Sequence, residues 1–298
     1  MMISVLICTR NRAKSLEATL QRFFAQRFTG GYEFELIVVD NASTDETSKI
    51  IESYVAQHPQ TVRRLFESRP GLSYARNAAV RAARGEVVAF TDDDVLVAEN
   101  WLDEIHREFT GDPSLSILGG RVLLADEKLQ RATLVVCEER SYFGLPEGVN
   151  FAIGANMAFR RELFDRIGLF DVRLGPGKFF AGSDDVEFVY RGLKSGRRLL
   201  YAPNVLVYHN HNRVTLEQVC QLEYGYAKSC PAYLIKHSLS GDDFAMRMLY
   251  WTFCELPRRG RRQREESEEA FIRHRCYVKG LLVGLCVAPF VMWGSGIR

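Results

Sequence analysis

A run of acidic residues directly follows a short apolar segment in the first third of the chain. The run is TDDD at residues 91–94, and the apolar segment covers residues 87–90. Adjacent carboxylates repel one another, so a cation is expected beside them. In an extended segment Asp92 and Asp94 would point to the same side, where they could share one hard divalent cation with pyrophosphate oxygens as further ligands. The alternative is a turn whose acidic side chains cap the next helix, starting near Asn100.

Asp40 closes a second apolar segment, at residues 34–39. A carboxylate at the end of a parallel strand can accept a hydrogen bond from a base imide or a ribose hydroxyl. Asp, Asn, Ser and Thr are equally typical of turns and helix N-caps, so a purely local role for Asp40 is as well supported. We expect Ser43 or Thr44 to cap the helix that follows.

Two more polar clusters lie in the second half of the chain. Asp184 and Asp185 follow a glycine-flanked loop and begin a predicted helix. The helix dipole alone would favour carboxylates there, and such a loop also suits a general base delivered to a cleft. His209 and His211 follow a strand, and alternation places both on one face. A lone histidine is more often structural, whereas two after several acidic clusters could complete a carboxylate metal site.

Short apolar segments alternate with amphipathic helices through the first 95 residues. Strands are predicted at residues 3–8, 34–39, 62–66 and 87–90, and helices at residues 15–28, 46–58 and 73–84. Uniformly apolar strands that alternate with helices predict a parallel sheet covered on both faces. Ligands of such sheets bind beyond the carboxyl ends of the strands. The polar clusters at those ends are therefore expected to converge on one crevice.

The middle of the chain predicts a mixed sheet that extends the first one. We expect a strand pair at residues 115–124 around Gly119-Gly120, strands at 151–159 and 199–207, and helical segments at 161–167 and 184–196. From residue 216 a separate, mostly helical region begins. The expected domains are therefore residues 1–212 and residues 213–298, the second a helical C-terminal region.

In their order along the chain, the polar clusters resemble the motifs of the family 2 glycosyltransferases, inverting enzymes with the GT-A fold. The resemblance covers roughly residues 3–212 and rests on ICTRNR, VVDNASTDET, RPGLSYARNAAVRAARGEVVAFTDDDV, GANMAFRRELFDRIGLFD, GSDDVEF and VYHNH. It implies an α/β fold of the GT-A type, a Rossmann-like, mixed and mainly parallel sheet with helices on both faces, followed by a helical C-terminal tail.

The resemblance also implies a role for each matched residue. Donor binding would fall to Thr9, Arg10, Asp40, Arg76 and Asp92, metal binding to Asp94 and His209, and general base catalysis to Asp185 or its neighbour Asp184. Arg10 stands where an aromatic residue commonly stacks on the base, and a guanidinium plane can stack as well. Asp184 replaces the usual Glu, and Asp185 is favoured as the base because Val186-Glu187-Phe188 then keeps the family register.

The implied reaction is sugar transfer from a UDP-, dTDP- or GDP-linked donor to a hydroxyl of a saccharide or a lipid-linked acceptor, with inversion. Mg2+ or Mn2+ would neutralise the leaving diphosphate, worth several kcal/mol. A carboxylate would deprotonate the attacking hydroxyl, which typically contributes ~10²–10⁴-fold.

Composition and missing motifs exclude several other classes. Lys and Arg total 39 against 37 Asp and Glu, a net charge of +2 that does not fit a broad nucleic-acid footprint. The chain has no G-x-G-x-x-G after the first strand, as a dinucleotide oxidoreductase requires. Residues 8–20 contain no glycine, which disfavours a sugar-nucleotide nucleotidyltransferase. A non-catalytic nucleotide-sugar-binding module remains the alternative from a different class.

The C-terminal end and the cysteines bear on location. Seven cysteines without a C-x-x-C pair favour a reducing cytosol, and the first apolar segment is too short for a signal peptide. Residues 280–297 carry no charge, and five arginines lie upstream within residues 258–264. Together these two signals are typical of membrane anchoring. We expect a cytoplasmic protein with peripheral contact, through residues 258–298, to the inner face of the cell membrane; a buried helix docked on the catalytic domain is the alternative.

Overall fold

The first four strands form a parallel sheet with helices between them, as the sequence predicts. The computed structural model describes residues 1–293. The strands are β1 (Met2–Thr9), β2 (Glu33–Asp40), β3 (Val62–Phe66) and β4 (Val87–Asp92), and the helices are α1 (Ala13–Phe24), α2 (Thr47–Gln57) and α3 (Leu72–Ala82). β1 pairs with β2 and β4, and β2 pairs with β3. Helix α1 buries Leu16, Leu20 and Phe23, the face that its apolar spacing defines.

The middle of the chain adds strands of both directions, which makes the sheet mixed. The elements are β5 (Val95–Val97), α4 (Trp101–Gly111), β6 (Ile117–Leu124), β7 (Ser141–Phe143), β8 (Met157–Arg160), α5 (Glu162–Ile167), α6 (Asp184–Lys194) and β9 (Leu199–His209). Within the described residues the strand order is β3-β2-β1-β4-β8-β6-β9-β5, with β7 also on β9. β8 runs antiparallel to β4 and β6, whereas β6 and β9 are parallel.

The predicted strand pair at residues 115–124 is wrong, because this segment is the single strand β6. Gly119 and Gly120 lie within the strand, where they allow close packing instead of a turn. A Cβ on Gly119 would lie 1.8 Å from the carbonyl oxygen of Phe151, and one on Gly120 would lie 2.2 Å from Nδ2 of Asn156. The strand predicted at residues 151–159 begins only at Met157 and is preceded by a 3-10 turn at Glu147–Asn150.

An aromatic cluster packs α5 and α6 against the sheet. Its members are Phe90, Phe159, Phe164, Phe170 and Phe188, whose neighbouring ring centroids lie 4.6–6.4 Å apart. All five rings are buried. Burial of one such side chain stabilises the fold by roughly 1.5–3 kcal/mol, so the cluster holds the start of α6 beside the end of β4.

The chain divides into two compact units. The first consists of Met1–Val172 and Asp184–Asn212, and the second of Arg173–Ser183 and Arg213–Arg298, of which residues 294–298 lie outside the described residues. The second unit contains α7 (Leu216–Leu239), α8 (Asp243–Glu266) and α9 (Glu268–Trp293).

Helix α9 is continuous through Gly284 and Pro289, although both residue types disfavour a helix interior. Gly280 and Gly284 instead allow α9 to approach α7 closely. A Cβ at Gly280 would lie 2.3 Å from the carbonyl oxygen of Tyr224, and one at Gly284 would lie 2.2 Å from that of Lys228. The other two glycines of the apolar segment, at positions 294 and 296, lie outside the described residues.

Candidate functional site

Three of the residues singled out in the sequence lie at the carboxyl ends of neighbouring parallel strands. Thr9 ends β1 and pairs with Asp40, which ends β2. Asp92 ends β4 and pairs with Cys8 of β1. The expected convergence of these residues on one edge of the sheet is therefore present. Arg10, which follows β1 directly, is exposed.

The acidic run does not continue as an extended segment, so the expectation that it does is wrong. Asp93 and Asp94 form a turn between β4 and β5. The chain turns because β5 leaves β4 and pairs antiparallel with β9. The alternative of a helix cap is not found either, since α4 begins at Trp101 without a side-chain cap.

Asp94 lies between a histidine and an arginine. Its Oδ1 is 3.2 Å from Nε2 of His209, and its Oδ2 accepts a hydrogen bond of 2.8 Å from Nη1 of Arg12. The pairing of Val95 with His209 across β5 and β9 brings the imidazole to this turn. Burial alone would raise the pKa of Asp94, but the hydrogen bond from His209 and the neighbouring Arg12 guanidinium lower it to about 2. Asp94 is therefore a buried anion at neutral pH.

Arg12 is a site residue that the sequence reasoning missed. Besides Asp94 it also faces Asp93, at 3.7 Å from Nε. Burial raises the pKa of Asp93 to about 7, although Arg12 opposes the rise. The available signal was the second arginine of the polar segment TRNR, which follows β1 at the same edge of the sheet.

His209 and His211 also contact each other. Their ring centroids are 5.0 Å apart and the planes are nearly perpendicular. Nε2 of His211 lies 3.1 Å from the carbonyl oxygen of Gln130. Nδ1 of His209 is buried and has no hydrogen-bond partner within residues 1–293. His209 is therefore positioned by Asp94 at Nε2 and by its ring contact with His211, and not by a hydrogen bond at Nδ1.

The donor set fits a divalent cation that is bound jointly by protein and substrate. Within the described residues no group of three or more His, Cys, Asp or Glu side chains is arranged to hold a metal. The pair Asp94 and His209 presents one carboxylate oxygen and one imidazole nitrogen 3.2 Å apart. Adjacent ligands of an octahedral ion with bonds near 2.1 Å are about 3 Å apart, and Mg2+ usually combines one or two carboxylates with substrate phosphates. Imidazole nitrogen is also compatible with first-row transition metals.

Arg76 of α3 joins the acidic turn to the start of α6. Its Nη1 donates a hydrogen bond of 2.6 Å to Oδ2 of Asp184, and its Nη2 lies 3.4 Å from Oδ1 of Asp92. Arg76 and Asp184 are each 3% exposed. Burial raises the pKa of Asp184 to about 6, although Arg76 opposes the rise. Burial also raises the pKa of Asp92, against the effect of the same guanidinium.

Asp185 is oriented by backbone donors. Its Oδ2 accepts a hydrogen bond of 2.8 Å from the Gly154 amide, and its Oδ1 accepts one of 2.8 Å from the Val186 amide. A Cβ at Gly154 would lie 2.1 Å from Nη2 of Arg76. Gly154 therefore permits both the hydrogen bond to Asp185 and the position of Arg76. Sequence reasoning missed this role, for which the glycine of GANMAF was the available signal.

Asp40 is fully buried and its oxygens have partners in the protein. Oδ1 accepts a hydrogen bond of 2.9 Å from the Ser43 amide, and Oδ2 accepts one of 2.5 Å from the Ser48 hydroxyl and lies 3.2 Å from Arg64. These donors lower the pKa of Asp40 even though burial opposes the effect. The predicted helix cap by Ser43 or Thr44 is wrong, because α2 begins at Thr47 without a side-chain cap. Ser43 instead closes the loop onto Asp40.

The sequence is similar to those of known proteins. The sequence model of glycosyl transferase family 2 matches residues 4–168. A glucosyl-dolichyl phosphate glucuronosyltransferase of Haloferax volcanii is 25% identical over 221 residues, which cover 70% of this chain and 69% of that protein. An uncharacterized protein of Sinorhizobium fredii is 26% identical over 230 residues, covering 71% of this chain. The match spans only 24% of that protein's length.

A solved structure shares the fold. The mannosyltransferase PcManGT from Pyrobaculum calidifontis, in complex with GDP-Man and Mn2+, matches with a TM-score of 0.60 and 18% identity. The match covers 99% of this chain and 76% of that one.

Proposed function

Since this chain belongs to glycosyl transferase family 2, whose model matches more than half of it, we propose that it moves a sugar from a nucleoside-diphosphate sugar to an acceptor hydroxyl with inversion. The family and the GT-A fold expected from the sequence are both confirmed. The observation that carries the proposed reaction is the ion-pair chain Asp92–Arg76–Asp184, which links the acidic turn to the start of α6. Because Asp92 and Asp184 directly neighbour the acidic turn and Asp185, this chain of ion pairs supports a single site for the metal-side and base-side carboxylates.

The donor's diphosphate would lie at the turn of Asp93 and Asp94. Asp94 and His209 would hold Mg2+ or Mn2+, and a bound ion would neutralise the departing diphosphate as a Lewis acid. Asp94 is already anionic, and Nε2 of His209 faces it at 3.2 Å. The proposed donor-side residues are Thr9, Arg10, Asp40, Arg76 and Asp92. Of these, Asp40 would act through the loop at Ser43 that it holds, and Arg76 through the carboxylates of Asp92 and Asp184.

Asp185 would act as the general base. In this proposal it accepts the proton of the acceptor hydroxyl while that oxygen bonds to the anomeric carbon, and the carbon–oxygen bond to the diphosphate breaks. One base opposite the leaving group gives a single displacement and therefore inversion. The amides of Gly154 and Val186 orient the carboxylate, and a general base must be oriented toward the hydroxyl from which it takes the proton.

Two similar proteins support the proposed classes of donor and acceptor. The PcManGT structure contains GDP-Man, and the Haloferax relative is named for a lipid-linked sugar acceptor. We propose a UDP-, dTDP- or GDP-linked donor and a saccharide or lipid-linked acceptor for this chain. Residues 1–212 would form the catalytic domain, and residues 213–298 would contribute to the acceptor side.

We further propose that the protein is cytoplasmic and works at the inner face of the membrane. Helix α9 (Glu268–Trp293) is long and apolar enough to cross a membrane, with a mean hydropathy of 1.7 in its most apolar window and 28% of that window buried. Extraction of cell membranes at high salt and then at alkaline pH tests this. Release by salt would indicate peripheral contact, retention at alkaline pH would indicate a spanning α9, and recovery in the untreated cytosol would contradict both.

The metal proposal is tested by Asp94→Ala. The variant is expected to lose Mn2+-dependent binding of a nucleoside diphosphate, measured by calorimetry, while its thermal unfolding stays cooperative. Asp165→Asn, at an exposed position on α5, is the control and should bind normally. Metal-dependent binding by Asp94→Ala equal to that of the unmodified chain would remove Asp94 from the metal site.

The base proposal is tested by Asp185→Asn. We expect kcat to fall by about 10²–10⁴-fold with the donor Kd nearly unchanged, because the lost interaction is made in the transition state. A panel of nucleotide sugars with saccharide acceptors supplies the assay, and nucleotide release is the readout. An active Asp185→Asn beside an inactive Asp184→Asn would move the base to Asp184; turnover of no donor by the unmodified chain would favour a non-catalytic binding module.

A further inference from the structure

Helix α8 is long but hardly buried. Of its 24 residues only Ala245 is buried. Its first half is nevertheless apolar, reading FAMRMLYWTFCEL over residues 244–256. Tyr250 is 67% exposed and Trp251 is 61% exposed. Side chains of this size are normally buried, so a contiguous exposed group of them indicates a contact surface.

The exposed face changes its chemistry along the helix. Residues at spacings of three and four lie on one side of a helix. One exposed row on α8 consists of Met246, Tyr250, Cys254, Pro257, Arg261 and Arg264. The row is apolar over its first turns and carries arginine over its last, with Trp251 beside the apolar part.

The basic part is dense. Residues 258–264 contain five arginines, and Arg261 and Arg262 are both exposed. Glu255 pairs with Arg258 at 2.7 Å, and Glu265 and Glu266 follow the cluster at the end of the helix. Within α8 the five arginines outnumber these three glutamates, and Glu268 and Glu269 follow at the start of α9. The arginines lie about 10–20 Å along the axis from Trp251 at 1.5 Å per residue.

Helix α9 adds apolar surface to the same unit. It runs antiparallel to α8, because Arg264 lies over the ring of Phe271 and Arg259 over that of Tyr277. The charged ends of the two helices are thus adjacent, and the apolar part of α9 extends toward the apolar end of α8. Phe290 of α9 is 84% exposed.

We propose that the exposed face of α8 lies on an anionic lipid membrane, with Tyr250 and Trp251 at the acyl boundary and the arginines on lipid phosphates. Aromatic, aliphatic and arginine side chains together are the composition of an interfacial helix, and in α8 the apolar and basic groups follow one another along the axis. This surface extends beyond the expected contact at residues 258–298, since it includes residues 246–254. It rests on the proposed membrane location and is independent of the proposed reaction.

Charge decides between a membrane and a second copy of the chain. A parallel pairing of two α8 helices would place arginine against arginine, and an antiparallel pairing would cover arginines with apolar side chains. The first arrangement brings like charges together, and the second removes water from the arginines without supplying anions. An anionic bilayer offers phosphates and an apolar layer side by side, which satisfies both parts of the face.

The test is sedimentation of the full-length protein with vesicles of phosphatidylcholine and phosphatidylglycerol, compared with phosphatidylcholine alone. We expect binding to the mixed vesicles only. Arg261→Glu with Arg262→Glu should weaken it by at least about 25-fold, since each arginine contributes about fivefold. Tyr250→Ser with Trp251→Ser should weaken it by at least tenfold, because both rings leave the acyl boundary.

Matched controls come from the exposed surface of the first unit. Arg27→Glu with Arg107→Glu, and Val136→Ser, change similar charge and apolarity there and should leave vesicle binding unchanged. Circular dichroism melting checks that every variant is folded. Mn2+-dependent binding of a nucleoside diphosphate, which is proposed for residues 1–212, should be unaffected by the α8 variants, so its failure would concern the donor site and not the membrane surface.

Three outcomes would overturn the proposal. One is equal binding of the unmodified chain to both vesicle types, and another is unchanged binding by both α8 variants. The third is a dimer in detergent-free light scattering that Tyr250→Ser with Trp251→Ser converts to a monomer, which would assign this face to self-association.

Discussion

Replacing Arg76 with methionine is expected to lower the free energy of unfolding by about 3–5 kcal/mol near pH 8, the usual cost of leaving a buried charge without its partner. Arg76 and Asp184 are each 3% exposed, and the bond between them is 2.6 Å long. Methionine has a similar length and also suits the neighbouring rings of Phe90 and Phe170, over which the guanidinium lies at 5.9 and 5.7 Å. The loss is therefore mainly electrostatic.

The size of the loss should depend on pH. The folded-state pKa of Asp184 is raised to about 6 from an ordinary value of 3.8. Because the protonated form of Asp184 is favoured in the folded state, its contribution to stability is fully present below pH 3.8 and is lost as the pH rises through about 6. Without Arg76 the pKa of Asp184 rises further, which extends the loss to higher pH. The difference between variant and unmodified chain should be largest near pH 8 and shrink toward pH 5.

Urea unfolding followed by circular dichroism at both pH values measures the difference. Arg81→Met, on the exposed side of the same helix, is the control and should change stability by less than about 0.5 kcal/mol. A loss below about 1 kcal/mol near pH 8, or one that is equal at the two pH values, would refute the reasoning, because an unpaired buried carboxylate must cost more than this where it is ionised.

Two other substitutions test the packing and charge of the first unit. Gly154→Ala should lower kcat at least about tenfold, because the new Cβ would lie 2.1 Å from Nη2 of Arg76 and a small misplacement of catalytic groups is costly. Gly144→Ala is the control: the space around its Cβ is open, so this variant should keep the kcat of the unmodified chain. An unchanged kcat in Gly154→Ala would show that Arg76 can move without consequence. Glu35→Gln should lower the free energy of unfolding by about 1.5–3 kcal/mol at pH 7, the range for hydrogen bonds to a charged group. Hydrogen bonds lower the pKa of the buried Glu35, so its contribution to stability is present above pH 4.5 and is lost as the pH falls through the depressed value. The urea midpoints of Glu35→Gln and of the unmodified chain should therefore converge in acid. A Glu35→Gln variant that is as stable at pH 7 as Glu33→Gln, at an exposed site, would contradict this.

The sequence determined the architecture of the first unit because its signals there are local. Apolar segments of four to six residues lie within β1, β2, β3 and β4, since their alternation with amphipathic helices leaves little other way to bury both kinds of element. The convergence of Thr9, Asp40 and Asp92 follows from strand direction alone, because parallel strands end at one edge. Family membership was visible for the same reason, as its motifs are short and lie at these ends.

Tertiary structure decided how the charged groups are paired and which surfaces stay exposed. Arg12 meets Asp94 across 82 residues of sequence, and Arg76 meets Asp184 across 108, distances over which no periodicity carries information. Gly119 and Gly120 suggest a turn from composition, yet they serve close packing because Phe151 and Asn156 lie against them. The exposure of the apolar half of α8 could not be predicted from the sequence either. Apolar residues at helical spacing predict burial, and only the packing of the neighbouring helices leaves these residues uncovered.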